Sequence, residues 1–476
     1  MPSDRRYRAV FAVALALVAL AAVPAAAAPL WDADVWWVLR AGADLLREGA
    51  VPTRNRYGFT APDHPWVMHE WGFGALYAAL AAKGLAGLAL VRVAALSATA
   101  AALAWRSFRD ARPWVAAGCV ALALTAFGGR FESPRPVGMT YPLAVALAAV
   151  AFEPAFTRAH AVAAAALVLA WTNLHGSFPL GLAMLALGLG VPSGDRRARQ
   201  AALVASIAVT AVNPYGLGLH ALAFRYATGA AGDATAVVHQ RIVEWFPLWR
   251  APLRLATPWE LTVGAALVAL WAASLRDARW RARAALGLLL SAMALRHGRH
   301  LQLAGLVGLA LAPGPLEALL ARGRWALRET PRRAVAAFGL VPLALGAALW
   351  ATTVRGRAEG ELADASPQDE AATALLAAMP EGARVFVELP FAGYAVWRGA
   401  AVYFDPRNDC YPAAVLREAL DVNDGITDPA AALAALRARG ATHALVRCGS
   451  RAARSLAAAR PTASRAGLCA YELAPR

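Results

Sequence analysis

The stretch that decides the fold is residues 9–40, which read AVFAVALALVALAAVPAAAAPLWDADVWWVLR. An apolar run, 9–28, is followed at once by a tryptophan-rich segment that contains two aspartates. About 20 apolar residues are enough for a helix to cross the hydrocarbon core of a bilayer. Arg5, Arg6 and Arg8 precede the run, and basic residues of this kind stay on the cytoplasmic side. The stretch therefore predicts a membrane span that delivers an acidic, aromatic segment to the outer side.

The same run fits a second interpretation. Its basic start, its apolar centre and the small residues 25–28 also resemble a secretory signal peptide with its cleavage site. We expect an uncleaved helix. Both interpretations place residue 30 outside the cell membrane, so the orientation of the remaining chain does not depend on the choice.

The rest of the chain is equally apolar. Hydrophobic residues make up 59% and charged residues 16% of the 476 residues, and the mean hydropathy is +0.45, whereas a soluble domain carries about 25% charged residues. This composition excludes intrinsic disorder, and four cysteines exclude a disulfide scaffold. The fold class predicted is a polytopic α-helical membrane protein with about 11 transmembrane helices and one small soluble domain. The predicted spans are 9–28, 85–105, 113–129, 136–152, 160–174, 177–192, 200–213, 259–275, 284–296, 300–319 and 333–352.

The distribution of charge supports this topology. The net charge of +16 lies entirely in residues 1–354, because the chain from Arg355 onward has 14 basic and 14 acidic residues. Loops predicted to be cytoplasmic, together with the adjoining span-end residues Glu317 and Arg333, hold 19 basic and seven acidic residues, as the positive-inside rule requires. A nucleic-acid-binding surface would gather its basic residues on one face or along one helix, so no nucleic acid is expected as a partner. The only lysine, Lys83, is followed by Gly84, which excludes a P-loop.

Polar residues that are unusual beside membrane spans all fall on the outer side in this topology. They come from several separate loops, and we take them as candidate site residues: Asp32, Asp34, His69, Glu70, Arg130, Arg135, His175, Arg296, His297, Arg299 and His300. Placing an ionisable group at the depth of a membrane costs free energy, so such a group suggests a functional site. Structural alternatives remain open, since an aspartate at 32 or 34 can cap the helix that follows, and single arginines can anchor a span at the interface.

An outward cavity of carboxylates, histidines and arginines suits a substrate with an anionic head and an apolar tail, such as a polyprenyl-phosphate sugar. Transfer of its sugar needs a base for the acceptor proton, which an aspartate can supply. Arginine or histidine side chains can bind the departing phosphate. We assign donor-phosphate or substrate binding to Arg130, Arg135, His175, Arg296, His297, Arg299 and His300, and a role at the acceptor or its loop to His69 and Glu70.

Several short segments, in this order, resemble the GT-C membrane glycosyltransferases. They are Trp31-Asp-Ala-Asp-Val-Trp-Trp37, Pro65-Trp-Val-Met-His-Glu-Trp71, Asn173-Leu-His-Gly-Ser-Phe178, Asn213-Pro-Tyr-Gly216, Gly393-Tyr-Ala-Val-Trp397 and Phe404-Asp-Pro-Arg407. The likeness is greatest to a bacterial branch related to the dolichyl-phosphate-mannose protein mannosyltransferases and the lipid A aminoarabinose transferases, and it covers most of the chain.

The resemblance implies an inverting glycosyltransferase of the bacterial inner membrane. It would move a sugar from a polyprenyl-phosphate donor to a hydroxyl or amine of a glycan, lipid or protein acceptor on the extracytoplasmic face. In that family an acidic residue just after the first span is the base, a role that falls here on Asp34 or Asp32. The alternative is a non-catalytic lipid-glycan binding or assembly scaffold, or a transporter, of the same architecture.

The sequence predicts three regions: a membrane domain, 1–354, with a large first outer loop, 29–84; a linker, 355–366; and a small extracytoplasmic α/β domain, 367–476, with a mainly parallel sheet. The strand candidates of this domain are Arg384–Leu389, Ala401–Phe404, Thr442–Val446 and Ala470–Leu473.

The cysteines and histidines bear on disulfides and cofactors. Cys448 and Cys469 are the most plausible disulfide, which would leave Cys410 free. No Cys-x-x-Cys or His-Glu-x-x-His pattern occurs, so a dedicated structural zinc is not expected. No cofactor is certain from the sequence, which leaves open a weak divalent-metal site among the outer histidines and acids.

Overall fold

The computed structural model describes residues 32–81, 85–128, 135–229, 232–322 and 367–473. The predicted spans 9–28 and 333–352, the predicted linker 355–366 and the candidate residue Arg130 lie outside the described residues.

In chain order, the described helices are α1 (Ala33–Glu48), α2 (Trp71–Ala81), α3 (Leu85–Asp110), α4 (Pro113–Phe127), α5 (Val137–Ala151), α6 (Arg158–Leu174), α7 (Pro179–Gly188), α8 (Arg196–Val209), α9 (Gly218–Thr228), α10 (Ala234–Arg241), α11 (Pro252–Leu255), α12 (Pro258–Ser274), α13 (Arg281–Arg296), α14 (Leu301–Leu311), α15 (Pro313–Arg322), α16 (Pro367–Ala377), α17 (Leu389–Trp397), α18 (Ala413–Asn423), α19 (Pro429–Ala438) and α20 (Arg451–Ser455). Short 3₁₀ helices lie at Val243–Trp245, Leu248–Arg250, Gly298–His300 and Asn408–Cys410. The strands are β1 (Arg384–Val387), β2 (Ala401–Val402), β3 (His443–Arg447), β4 (Pro461–Arg465) and β5 (Leu468–Glu472).

These elements form two compact units. The helical unit contains the described residues of 85–217 and 243–322, and the sheet unit contains those of 32–81, 218–242 and 367–473. The sheet unit is therefore larger than the C-terminal domain expected from the sequence. It includes the first outer loop and the segment that carries α9 and α10.

The helical unit contains nine of the eleven predicted spans, and each of the nine coincides with helical structure. The run 300–319 is not one helix, because Pro313 ends α14 and begins α15; proline lacks the N–H that a continuous helix needs. Within the described part of the chain, no single helix is both long and apolar enough for a membrane span. The bent pair Gly298–Leu311 and Pro313–Ala321, which meet at 58°, satisfies both criteria together.

Among the described residues of the helical unit, Arg92 and three arginines near helix ends are buried; the exposed fractions of the latter are 1% for Arg106, 3% for Arg199 and 3% for Arg283. Arg199 donates to carbonyl oxygens at the C-terminal end of α5, including that of Glu153 at 2.5 Å. Arg106 and Arg283 both pair with Asp110 at the end of α3. The last carbonyls of a helix have no partner within that helix. The hydrogen bonds and ion pairs of these arginines therefore link the ends of α3, α5, α8 and α13.

The sheet unit is built on a five-stranded sheet of order β2-β1-β3-β5-β4. β1 is parallel to both β2 and β3, whereas β5 is antiparallel to β3 and β4. The expectation of a mainly parallel sheet is thus correct for the first three strands only. The last two strands form a hairpin whose turn, Ala466-Gly467, has positive φ at both residues.

Helix α1 lies between α2 and α17 at very close range. A Cβ atom on Gly42 would lie 2.0 Å from the carbonyl oxygen of Gly74, and one on Gly393 would lie 1.9 Å from that of Ala33. Gly49 ends α1 with φ 68°, a conformation that glycine adopts without strain. The segment after the first predicted span is therefore a fixed part of the sheet unit.

Cys448 and Cys469 form a disulfide that joins the end of β3 to β5, with Cα atoms 5.2 Å apart and a separation of 21 positions in sequence. A loop of this length corresponds to about 3 kcal/mol of stabilisation through the unfolded state. We expect a reductant to lower the free energy of unfolding of the sheet unit by about this amount, measured by denaturant titration. The double variant Cys448→Ser/Cys469→Ser is the control, because it should be equally weakened and insensitive to the reductant. An unchanged titration of the reduced wild-type protein would contradict the prediction.

Candidate functional site

The two aspartates that follow the first predicted span have different surroundings. Asp32 is the N-cap of α1, and its Oδ1 accepts a hydrogen bond of 3.0 Å from the backbone N–H of Asp34. Asp34 lies in the first turn, half-buried, and its Oδ1 accepts a bond of 3.2 Å from the indole Nε1 of Trp37. Capping, one of the two roles left open by the sequence, is thus seen for Asp32.

His69 and Glu70 form a pair, with 2.8 Å between Nε2 of His69 and Oε1 of Glu70. Glu70 is 8% exposed, and its Oε2 is buried with no hydrogen-bond partner among the described residues. Asp409, on the 3₁₀ helix after β2, lies near this pair. Burial raises the pKa of Asp409, the charge of His69 opposes that shift and the carboxylate of Glu70 adds to it. The sequence did not connect Asp409 with this pair, because more than 300 residues separate them.

Asp405 and Arg407 follow β2 and are fully buried, both with 0% side-chain exposure. Nη2 and Nε of Arg407 donate to the two carboxylate oxygens of Asp405 at 2.5 and 2.9 Å, and Nη2 also donates to Oδ1 of Asn55 at 3.0 Å. The guanidinium lies 4.5 Å from the ring centroid of Tyr57 and 4.6 Å from that of Trp66. Burial disfavours the charged form of Arg407, yet the carboxylate of Asp405 raises its pKa well above the ordinary value. This pair therefore joins the first outer loop to the sheet and is not open to a ligand.

In the helical unit, four candidate residues meet around one tryptophan that the sequence did not single out. We call Trp245, Arg296, His297, Arg299 and His300 the Trp245 cluster. The guanidinium of Arg299 lies over the indole ring at 4.4 Å from its centroid. The rings of His297 and His300 lie 5.3 and 6.2 Å from it, both edge to face.

His297 is held at both ring nitrogens. Its Nδ1 lies 2.6 Å from the carbonyl oxygen of Trp245, and its Nε2 lies 3.3 Å from Nε of Arg296. Because a carbonyl only accepts and a guanidinium only donates, Nδ1 carries the proton and Nε2 accepts. Burial lowers the pKa of His297 despite this carbonyl, and the charges of Arg296 and Arg299 lower it further. Burial and the two neighbouring cations thus both disfavour the charged form of the imidazole.

Arg135 and His175 occupy other turns of the helical unit. Arg135 precedes α5 and pairs with Glu244, the neighbour of Trp245, at 2.6 Å. His175 ends α6, and its Nδ1 lies 2.7 Å from Oγ of Ser177. That hydroxyl is 3.3 Å from Oγ1 of Thr140 near the start of α5. Arg135 is therefore connected to the Trp245 cluster through a neighbouring side chain, whereas His175 belongs to a separate hydrogen-bond chain.

The divalent-metal site that the sequence leaves open would lie among the outer histidines and acids. The described residues hold no group of three or more histidine, cysteine, aspartate or glutamate side chains placed to bind a metal ion.

Comparisons of the sequence find no match to a protein-family model or to a curated protein. The structure does have relatives. The archaeal oligosaccharyltransferase AglB from Archaeoglobus fulgidus, solved with an inhibitory peptide and a dolichol-phosphate, superposes with a TM-score of 0.61 at 11% identity, over 91% of this chain and 69% of AglB.

A second related structure is ArnT from Cupriavidus metallidurans bound to undecaprenyl phosphate. It superposes with a TM-score of 0.55 at 14% identity, over 99% of both chains. At such identities the likeness concerns the fold, and it extends over nearly the whole chain.

Proposed function

We propose that this chain, which has the fold of the GT-C glycosyltransferases AglB and ArnT, transfers a sugar from a polyprenyl-phosphate donor to a hydroxyl or amine acceptor. The observation that carries the proposal is the Trp245 cluster, in which the guanidinium groups of Arg296 and Arg299 lie beside two imidazoles in the helical unit. The two guanidinium groups would bind the phosphate, and His297, which contacts Trp245 and Arg296 through its ring nitrogens, would position Arg296. Both related structures were solved with a polyprenyl phosphate bound, the same kind of anion that such a cluster would bind.

The cluster suits a phosphate that gains negative charge as it leaves the sugar. Guanidinium groups form short, charge-assisted hydrogen bonds to phosphate oxygens. Arg299 is held in place by the indole ring of Trp245, and such a preorganised donor loses less entropy on binding. Arg135, paired with Glu244 beside the cluster, is proposed to contact the same phosphate. His175, which lies in a separate hydrogen-bond chain, and Arg130 are kept in the proposed donor set on the ground of the sequence alone.

Asp34 is the proposed base. Asp32 and Asp34 are both half-buried; Asp32 caps α1 through its carboxylate, and we assign the base to Asp34 because it does not serve as that cap. In a single displacement, the acceptor oxygen or nitrogen bonds to the anomeric carbon, the bond from that carbon to the phosphate oxygen breaks, and the acceptor proton passes to Asp34. One displacement inverts the anomeric centre, and the phosphate leaves on its polyprenyl chain. His69 and Glu70 are proposed to shape the acceptor side.

The membrane placement is part of the proposal. Of the nineteen large apolar side chains that are exposed among the described residues, fifteen belong to the helical unit. Exposed apolar surface on this scale marks contact with an apolar partner, and lipid tails meet that need for the predicted spans. We place the helical unit in the bacterial inner membrane, with the N-terminus cytoplasmic and residues 367–476 extracytoplasmic.

The test is turnover. The purified chain, reconstituted in liposomes, is given a panel of polyprenyl-phosphate sugars together with an extract of envelope glycans and lipids, and the release of free polyprenyl phosphate is measured. Release that depends on both donor and acceptor is expected. A scaffold would bind the lipid without releasing it, and a transporter would move the intact lipid-linked sugar across the bilayer. Either result would overturn the proposed reaction.

Substitution of Trp245 tests whether the Trp245 cluster binds the donor. Trp245→Ala removes the ring that holds Arg299, and a cation–π contact contributes about 0.5–2 kcal/mol. We expect the KM for the donor to rise by roughly 3- to 30-fold, while kcat changes less. Trp245→Phe keeps an aromatic face and should recover part of the loss. Trp249→Ala is the matched control, since Trp249 is 69% exposed and lies outside the cluster. An unchanged KM in Trp245→Ala would exclude this role.

A further inference from the structure

The sheet unit contains a cavity of about 490 Å³ that the proposed reaction does not use. It is lined by three short segments of the chain, residues 388–390, 423–424 and 447–451. Small-molecule pockets in proteins usually measure about 300–1,000 Å³, so the size suits a ligand of a few tens of atoms.

The cavity lies at the carboxyl ends of two strands of the sheet. β1 and β3 are adjacent and parallel, and the cavity is lined by the residues that follow each of them directly, from Glu388 and from Cys448. From β1 the chain passes through α17 to β2, which lies beside β1 in the sheet. From β2 it passes through α18 and α19 to β3, which lies on the other side of β1. Because parallel crossovers are right-handed, α17 lies on one face of the sheet and α18 and α19 on the other. α20, which follows β3, packs against α18 and α19.

The chain thus leaves β1 and β3 toward opposite faces, which opens a crevice at the carboxyl ends of these strands. Ligands of open α/β sheets bind in such crevices, at the point where the strand order reverses.

One of the charged groups at the wall is placed to bind an anion. The carboxylate of Glu388 is bound by Arg447, through Nη2 at 2.7 Å and the backbone N–H at 2.7 Å. The carboxylate of Asp424 is bound by Nη2 of Arg241 at 2.9 Å, and Arg241 also pairs with Asp421. Both acids therefore have an arginine partner, and the charges near the wall balance. Arg451 is exposed and makes no salt bridge with any described residue, so its guanidinium is the lining group that can pair with the anion of a ligand.

The uncharged groups favour a sugar. Asn423 accepts from the backbone N–H of Leu389 and donates to Asp424 through one N–H of its amide, so its second N–H can donate to a ligand. The hydroxyl of Ser450 accepts from the backbone N–H of Ala453 and can still donate its own hydrogen. Leu389, Pro390 and the Cys448–Cys469 disulfide supply an apolar patch. We propose that this cavity binds an anionic carbohydrate, a sugar that bears a phosphate or carboxylate group, with Arg451 as the residue that binds the anion. The site is distinct from the proposed donor site, so it does not depend on the proposed transfer reaction.

Equilibrium binding to the purified full-length chain in detergent tests this site, with glucose 1-phosphate, glucuronate, glucose and inorganic phosphate as probes in isothermal titration. We expect both anionic sugars to bind at least about tenfold more tightly than glucose. Arg451→Ser should weaken that binding by about tenfold or more, because a hydrogen bond between charged groups is lost. Arg454→Ser is the matched control, since Arg454 lies exposed on the same short helix but does not line the cavity. Trp245→Ala should also leave this binding unchanged, whatever its effect on transfer.

Three results would overturn the proposal. One is the absence of binding by either anionic sugar to the wild-type chain, and another is equal binding by Arg451→Ser and the wild type. The third is binding of inorganic phosphate without either sugar, which would mark an anion site with no recognition of carbohydrate.

Discussion

Asp34→Asn is expected to lower the rate of sugar transfer by about 10²- to 10⁴-fold, the usual contribution of a general base. Asparagine keeps the size of the side chain and can still accept the indole hydrogen bond from Trp37 through its carbonyl oxygen, but it cannot take up the acceptor proton. The loss should therefore appear in kcat, with little change in the KM for the donor. The measurement is release of polyprenyl phosphate by the purified variant in liposomes.

Asp32→Asn is the matched control for this variant. Asparagine caps a helix about as well as aspartate, so α1 should keep its N-terminus, and most of the activity should remain. Thermal unfolding of both variants should match that of the wild type. Full turnover in Asp34→Asn, or an equal loss in Asp32→Asn, would contradict the assignment of the base.

The second large effect concerns stability. Arg407→Met is expected to destabilise the sheet unit by about 3–5 kcal/mol, because removal of one partner from a buried ion pair leaves the other charge without compensation. Asp405 would keep the hydroxyl of Tyr411, which donates to it at 2.6 Å, and the backbone N–H of residue 407 at 2.9 Å, but no cation, and Oδ1 of Asn55 would lose the guanidinium. Denaturant unfolding followed by tryptophan fluorescence measures the loss, since Trp66 packs on that guanidinium.

Two further variants separate charge from packing. Asp405→Leu/Arg407→Met replaces both charges, and such replacements are often nearly neutral, so it should recover much of the lost stability. Arg417→Met removes an exposed arginine and should change the free energy of unfolding by less than about 0.5 kcal/mol. If Arg407→Met were as stable as Arg417→Met, the pair would not hold the first outer loop to the sheet.

Much of this architecture could be predicted from local sequence. Helical structure lies at each of the nine predicted spans within the described residues, because long apolar runs leave the backbone no partners except those of a helix. The GT-C resemblance, which rested on short segments in a particular order, is confirmed for the fold. The membrane topology, the domain boundaries and the roles of the site residues stay predictions.

Other features could not be predicted, and the reasons are physical. β4 was missed because all five of its residues are exposed, so its sequence has no alternation of apolar and polar residues. Arg106, Arg199 and Arg283 read as loop charges, because an arginine that fastens helix ends has the same local sequence as one in solvent. Trp245 gave no signal either, since its contacts with Arg299 and His297 join residues about 50 positions apart.

The association of the first outer loop with the C-terminal domain is likewise a long-range property. It depends on the contacts of Arg407 with Asn55 and Trp66 and on the approach of Gly393 to α1. No local pattern could have predicted it.

Transfer from a lipid-linked donor requires that Asp34 and the Trp245 cluster open to the same, outer side of the membrane. The most direct measurement is labelling of single introduced cysteines by a membrane-impermeant maleimide in intact cells. Thr53→Cys lies in the first outer loop, Val243→Cys lies two residues from Trp245, and Ala278→Cys lies in a predicted cytoplasmic loop; all three positions are exposed. The described native cysteines are buried or disulfide-bonded, so background labelling should be low. We predict labelling at 53 and 243 in intact cells and at 278 only after permeabilisation. Protection of 53 or 243 until the membrane is opened would contradict an outward-facing glycosyltransferase.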